Sequence, residues 1–181
     1  MVGDPTHAED VVRTYVDATA ARLTADGCTV QTEDWFGWPV LIGYRSDFRL
    51  RWMATKLHLF TVVAATNVVS VDAIAGFTDT AVDYALARKG QLRGVQSGVA
   101  VLSCLVGRYA HAPAVAWARE RQRTRFACMV RPVVVEAATG AVSCFRDTSL
   151  FGWVYSGYLR RKLDAYFPSV TTAPPGATNR Q

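Results

Sequence analysis

The chain has 181 residues, half of them apolar and 19% charged, with a formal charge of +5. That composition fits a packed core and excludes an intrinsically disordered chain, and the length fits one domain. Seventeen Arg against three Lys suit two-pronged contacts to carboxylate or phosphate, but the net charge falls well short of a dedicated nucleic-acid binder.

Thr6-His7-Ala8-Glu9 has the form of a capping box, with Thr6 as N-cap. Val12, Tyr15, Val16, Ala20 and Leu23 then recur at helical spacing, and Gly27 can supply a left-handed C-terminal cap. This predicts an amphipathic helix over residues 7–25. From Cys28 to Ala65 the period changes to two. "CTVQT" reads as a strand, "DWFGWP" (34–39) as a turn with exposed aromatics, "VLIGY" (40–44) as a second strand and "RSD" (45–47) as a tight turn.

The stretch "FRLRWMATKLHLF" (48–60) then places Phe48, Leu50 and Trp52 at even positions but Leu57 and Leu59 at odd ones. A single strand can change its inward face only through an extra residue, so a bulge is predicted near residues 53–55. "LFTVVAA" is apolar on both faces, as in a sheet covered on both sides or at a dimer contact.

A second helix is predicted over residues 70–89, with Ser70 as N-cap and Ile74, Phe77, Ala81, Val82 and Ala85 facing inward. "VAVLSCLVG" (99–107) is apolar enough to be central in the sheet. Pro113 fits a first helical position, opening a short helix that ends in "RERQRTR" (119–125). Residues 126–136 and 141–147 read as a β-hairpin, at an edge or bulged at Pro132. A last helix covers 153–166, with Val154, Tyr155, Tyr158, Leu159, Leu163 and Tyr166 on one face.

The elements assemble as an α+β fold: one mixed sheet of about six strands packed with about four helices, in the order α-βββ-α-β-α-ββ-α. Residues 1–167 form the expected globular domain, and residues 168–181 have the composition of a disordered tail. The start of the chain has neither a basic lead nor an apolar stretch of signal length, and the most apolar window is broken by Asn67, Ser70 and Asp72. A reduced, cytoplasmic chain without a membrane span is the expectation.

Over residues 7–107 the order α-β-β-β-α-β resembles the core order of PD-(D/E)xK nucleases, in order and not in motif; the same order occurs in α+β chaperone-like folds. The nuclease resemblance implies two acids and a lysine around magnesium. Here Arg49 follows Asp47 two residues on, and no D/E-x-K triplet occurs in the chain. His7, His58 and His111 lie far from one another and from every Cys, so no zinc spacing exists. No Gly precedes a Lys in P-loop register. "GQLRGVQSG" leads from helix into strand, the reverse of a dinucleotide fingerprint, and Ser97 is displaced from a serine-hydrolase elbow. Cys28, Cys104, Cys128 and Cys144 form no CxxC pair, and the last three sit in strand-like runs as small hydrophobes. Neither metal nor cofactor is expected.

What remains is a set of anion-binding candidates: Arg45, Arg49 and Arg51 at one strand parity, Lys56 and His58 at the other, and Arg119, Arg121, Arg123 and Arg125 at alternate positions of a helix end. For the strand group the alternatives are a solvated face whose arginines pair with Asp47 or a neighbouring strand's acids, and arginines buried in structural ion pairs; for the second group the alternative is a charged, exposed helix end. The first functional expectation is a non-catalytic domain that acts by binding, as a homodimer through apolar sheet or last-helix surface. The alternatives are nucleic acid or another acidic partner held by the arginines, and a small enzyme for an anionic substrate, with Arg49 or Arg51 holding it and His58 as acid or base.

Overall fold

The computed structural model describes residues 5–49, 55–90, 97–120, 128–146 and 153–169. Ten elements follow in chain order: α1 (Pro5–Ala25), β1 (Thr29–Trp35), β2 (Trp38–Arg49), β3 (Thr55–Val69), α2 (Val71–Gly90), β4 (Ser97–Ala110), α3 (Ala112–Arg119), β5 (Cys128–Glu136), β6 (Ala141–Cys144) and α4 (Trp153–Tyr166). The six strands form one sheet in sequential order, β1 to β6. The β1–β2, β2–β3 and β5–β6 pairs are antiparallel. The β3–β4 and β4–β5 pairs are parallel, because α2 and α3 carry the chain back between them.

The α+β architecture and element order are those expected from the sequence. Both sheet faces are buried. Leu57, Leu59, Val63, Leu102 and Val133 pack under α1 and α4. Phe60, Val62, Val99, Val101 and Val134 pack under α2 and α3. The two-sided apolar run at residues 59–65 is therefore covered by the chain's own helices, which also bury their own apolar faces. No helix among the described residues is long and apolar enough to cross a membrane.

Local signals explain most boundaries. Helix α1 starts at Pro5, so Thr6 lies inside the helix and not at its cap; proline's fixed φ favours a first turn. It ends in a Schellman motif: Gly27 N donates to Thr24 O, Cys28 N donates to Leu23 O, and Gly27 takes φ +78°. Ser70 caps α2 as predicted, its Oγ accepting from Ala73 N at 3.2 Å. Pro113 occupies the second helical position of α3. Pro132 sits just past the last β5–β6 pair, Val133–Cys144, where β5 has a strand on one side only.

Two local expectations are corrected. Residues 45–47 are not a turn but lie within β2, opposite Leu57–Leu59 of β3. The apolar parity change across residues 48–60 needs no bulge, since Phe48 and Leu57 belong to different strands of an antiparallel pair. Of residues 53–55, where the bulge was expected, 53 and 54 lie outside the described residues, and Thr55 opens β3. The aromatic turn is also narrower than predicted. Only Phe36 and Gly37 form it, with φ of +59° and +83°, while Trp35 and Trp38 are half-buried against Phe77 of α2 at 6.1 and 5.7 Å between ring centroids.

Candidate functional site

Among the described residues the densest polar cluster lies where the end of α1, strand β2 and helix α4 meet. The pleat of β2 puts Arg45 and Asp47 on one face, and positions 158, 162 and 166 of α4 share one side at helical spacing. Arg45 lays its fork on Asp47, with Nε to Oδ2 and Nη2 to Oδ1 both at 2.7 Å. Its Nη1 donates to the Asp26 carbonyl at 2.6 Å and to the Asp26 carboxylate. Lys162 Nζ and Tyr166 Oη donate to the same Asp26 oxygen, and Tyr158 Oη donates to Asp47. Cys28 Sγ lies 3.4 Å from Tyr166 Oη.

Two carboxylates thus face two cations, and their side chains are only 14–30% exposed. Burial alone would raise the pKa of Asp26, but hydrogen bonds from Lys162, Tyr166 and Arg45 hold it below the usual carboxylate value. Burial likewise opposes the Arg45 and Tyr158 bonds that keep Asp47 low. Burial first, and then the hydrogen bonds to Asp47 and Asp26, raise Tyr158 and Tyr166 respectively. A general base works best with a pKa near the operating pH. These carboxylates are shifted the other way, and what the cluster accomplishes is to fasten α4 to the sheet and to α1.

The sequence-predicted residues divide among several places. Arg45 is in this cluster, so an incoming anion must displace two carboxylates to reach it. His58 lies at the opposite strand parity, on the α2 side. It is 3% exposed, its Nδ1 is 2.8 Å from Tyr44 Oη, and it stacks on that ring. Lys56 shares its parity and is half-buried. The sheet therefore separates Arg45 from His58, so these two do not line one pocket. Arg49 closes β2 opposite Thr55; its side chain, like Arg51, Arg121, Arg123 and Arg125, is outside the described residues. Arg119, at the end of α3, is exposed and donates to Ser143 Oγ at 3.1 Å.

Sequence reasoning missed Asp26, Lys162 and both tyrosines as a polar set, because Tyr158 and Tyr166 count toward the apolar stripe of α4. Their hydroxyls were the available signal: a buried tyrosine needs a partner for its polar end. It also missed Glu33, whose Oε1 accepts from Gln31 at 2.6 Å, Tyr84 at 2.7 Å and Arg88 at 2.8 Å. Burial and that hydrogen bond to Glu33 push Tyr84 up to about 12. Tyr84 and Arg88, four residues apart on α2, were the pattern that pointed there.

Cys104, Cys128 and Cys144 are buried and Cys28 is half-buried, all as free thiols. Burial raises the pKa of Cys28, Cys104 and Cys144, the reverse of what a nucleophilic thiolate needs. Among the described residues no group of three or more His, Cys, Asp or Glu could hold a metal ion. The sequence matches no known protein-family model, and a search of curated proteins finds no match either.

Proposed function

We propose that this chain is a non-catalytic α+β domain that acts by binding, and that it self-associates through the tip of the β1–β2 hairpin. The observation that carries this reading is Phe36. It is 100% exposed and adopts φ +59°, a conformation that costs a residue other than Gly or Asn about 1–2 kcal/mol. Gly or Asn would make the same two-residue turn at less cost, so the phenyl ring is displayed against local preference. Half-buried Trp35 and Trp38 stand on either side of it, and Trp38 is anchored by Nε1 donating to Ala65 O at 2.7 Å. Further support comes from the ionisable groups: Arg45, Lys162, Asp26 and Asp47 engage one another, and His58 is buried against Tyr44.

Sedimentation velocity from micromolar to about millimolar concentration, the range of weak association, tests the reading. The expected result is a concentration-dependent dimer that Phe36→Asn shifts toward monomer while thermal stability holds or rises. A wild-type chain that stays monomeric throughout, or a dimer indifferent to Phe36→Asn, rejects association through the tip.

A further inference from the structure

A second surface lies at the other end of the sheet order. Between α3 and the β5–β6 hairpin the structure leaves an open cleft of about 480 Å³, within the range of ligand-binding clefts. Ala112, Ala116 and Arg119, at helical spacing on α3, form its wall; Val134, Ala141 and Ser143 form its floor. Two of the three wall residues are alanines, so that part of the helix leaves space above the sheet. The floor ends at β6, the last strand of the sheet, and among the described residues no strand pairs with its outer edge.

Charge narrows the occupant. Glu136 also borders the cleft, where its partners are neutral donors, Ala110 N at 3.2 Å on Oε1 and Thr139 Oγ1 at 2.7 Å on Oε2; it lies opposite Ala141, two residues along β6 from the Ser143 that Arg119 meets. Arg119 contacts only the Ser143 hydroxyl among described groups and pairs with no described carboxylate. Among the described residues the cleft therefore offers one guanidinium that pairs with no carboxylate, beside an apolar trough and next to a sheet edge that no described strand pairs. A phosphate polymer gains affinity from several cations at once, and Arg119 is the one cation among the described residues that line the cleft. A strand-forming peptide uses every part: edge hydrogen bonds for affinity, and alternate side chains for recognition.

We propose that this cleft binds an extended acidic peptide segment, added as a further strand on the outer edge of β6, with a carboxylate on Arg119 and a small apolar side chain in the trough beside Ala112 and Ala116. Alternate residues of a strand lie about 6.5–7 Å apart on one face. The proposed pattern is an Asp or Glu and a Val or Ile at positions i and i+2, which share one face of a strand. This goes beyond self-association and is independent of it, because the Phe36 tip joins β1 and β2 at the opposite side of the sheet.

Fluorescence anisotropy with the full chain tests it. The probe is a labelled, terminally blocked peptide that alternates threonine with valine and glutamate. Its controls are a twin with lysine for glutamate, a scramble that breaks the alternation, and oligothymidylate. The alternating acidic peptide is expected to saturate below about 1 mM, with the twin and scramble at least about tenfold weaker. Arg119→Glu and Ala116→Trp, both at exposed positions, should each weaken binding by about tenfold or more with an unchanged circular dichroism spectrum. Phe36→Asn should leave it unchanged. No saturation by about 1 mM, equal binding of the scramble, or indifference to both cleft substitutions overturns the proposal. Preferential binding of oligothymidylate overturns it in favour of a polyanion surface.

Discussion

Replacing Arg45 with Met tests whether the α1–β2–α4 cluster holds the fold together. The substitution keeps the length and apolar stem of the side chain but removes the guanidinium. Asp47 then loses both fork bonds and keeps Tyr158; Asp26 keeps Lys162 and Tyr166. Removing one partner of a fully buried ion pair costs about 3–5 kcal/mol, whereas a fully exposed pair contributes about 0–1 kcal/mol. The three side chains are 18–30% exposed, and both carboxylates retain other donors, so the loss falls between these limits, at about 2–3 kcal/mol at pH 7.

Urea denaturation gives the reading, with an unchanged slope required so that a midpoint shift reports stability. The pH dependence has a definite sign. The folded-state pKa values of Asp26 and Asp47 lie below their ordinary 3.8, so their stabilisation is present above that pH and disappears as pH falls through the lower, folded values. The gap between wild type and Arg45→Met must therefore narrow below about pH 4. Arg13→Met is the control, since its 3.9 Å pair with Asp10 is 77% and 59% exposed, and it should change stability by less than about 0.5 kcal/mol. A loss below about 0.5 kcal/mol for Arg45→Met at pH 7, or a gap that does not vary with pH, refutes the reasoning.

Two further outcomes follow from the core. Thr61 Oγ1 and Tyr15 Oη are buried with no hydrogen-bond partner among the described residues, so Thr61→Val and Tyr15→Phe should leave stability unchanged or raise it by up to about 1–2 kcal/mol; a thermal-unfolding loss greater than about 1 kcal/mol for either would show that its hydroxyl is satisfied. A Cβ at Gly107 would stand 2.8 Å from both Tyr109 O and Val69 Cγ2 and 3.2 Å from Val69 N. Gly107→Ala should therefore cost about 1–3 kcal/mol in urea denaturation, whereas Gly157→Ala in α4, with nothing within 4 Å, should stabilise by about 0.5–1 kcal/mol. Equal effects at the two glycines would contradict the close approach of β3 and β4 at Gly107.

Much of the architecture is legible in the residues, and the reason is local. The Leu23–Gly27–Cys28 ending of α1, the Ser70 cap of α2 and the 153–166 span of α4 depend on neighbours a few positions away. Their patterns survive without knowledge of the fold. The misread turn at residues 45–47 shows where such reasoning stops. Arg-Ser-Asp is good turn chemistry, yet β3 offers residues 40–49 of β2 a ladder of main-chain partners, and that outweighs the preference of three residues. The same pairing placed Phe48 and Leu57 on separate strands, which removes the need for a bulge.

The sequence by itself determined the helix and strand order, the two-sided burial of residues 59–65 and the inert setting of the strand cysteines, because each follows from periodicity and burial along one segment. Only the tertiary structure decided which charges meet. It brought Asp26, Arg45, Asp47 and Lys162 together from three elements, put His58 on the other face, and left Arg119 beside an open trough at β6. Ion pairing depends on distances through space between groups far apart in the chain, and the spacing of residues along a sequence does not contain them.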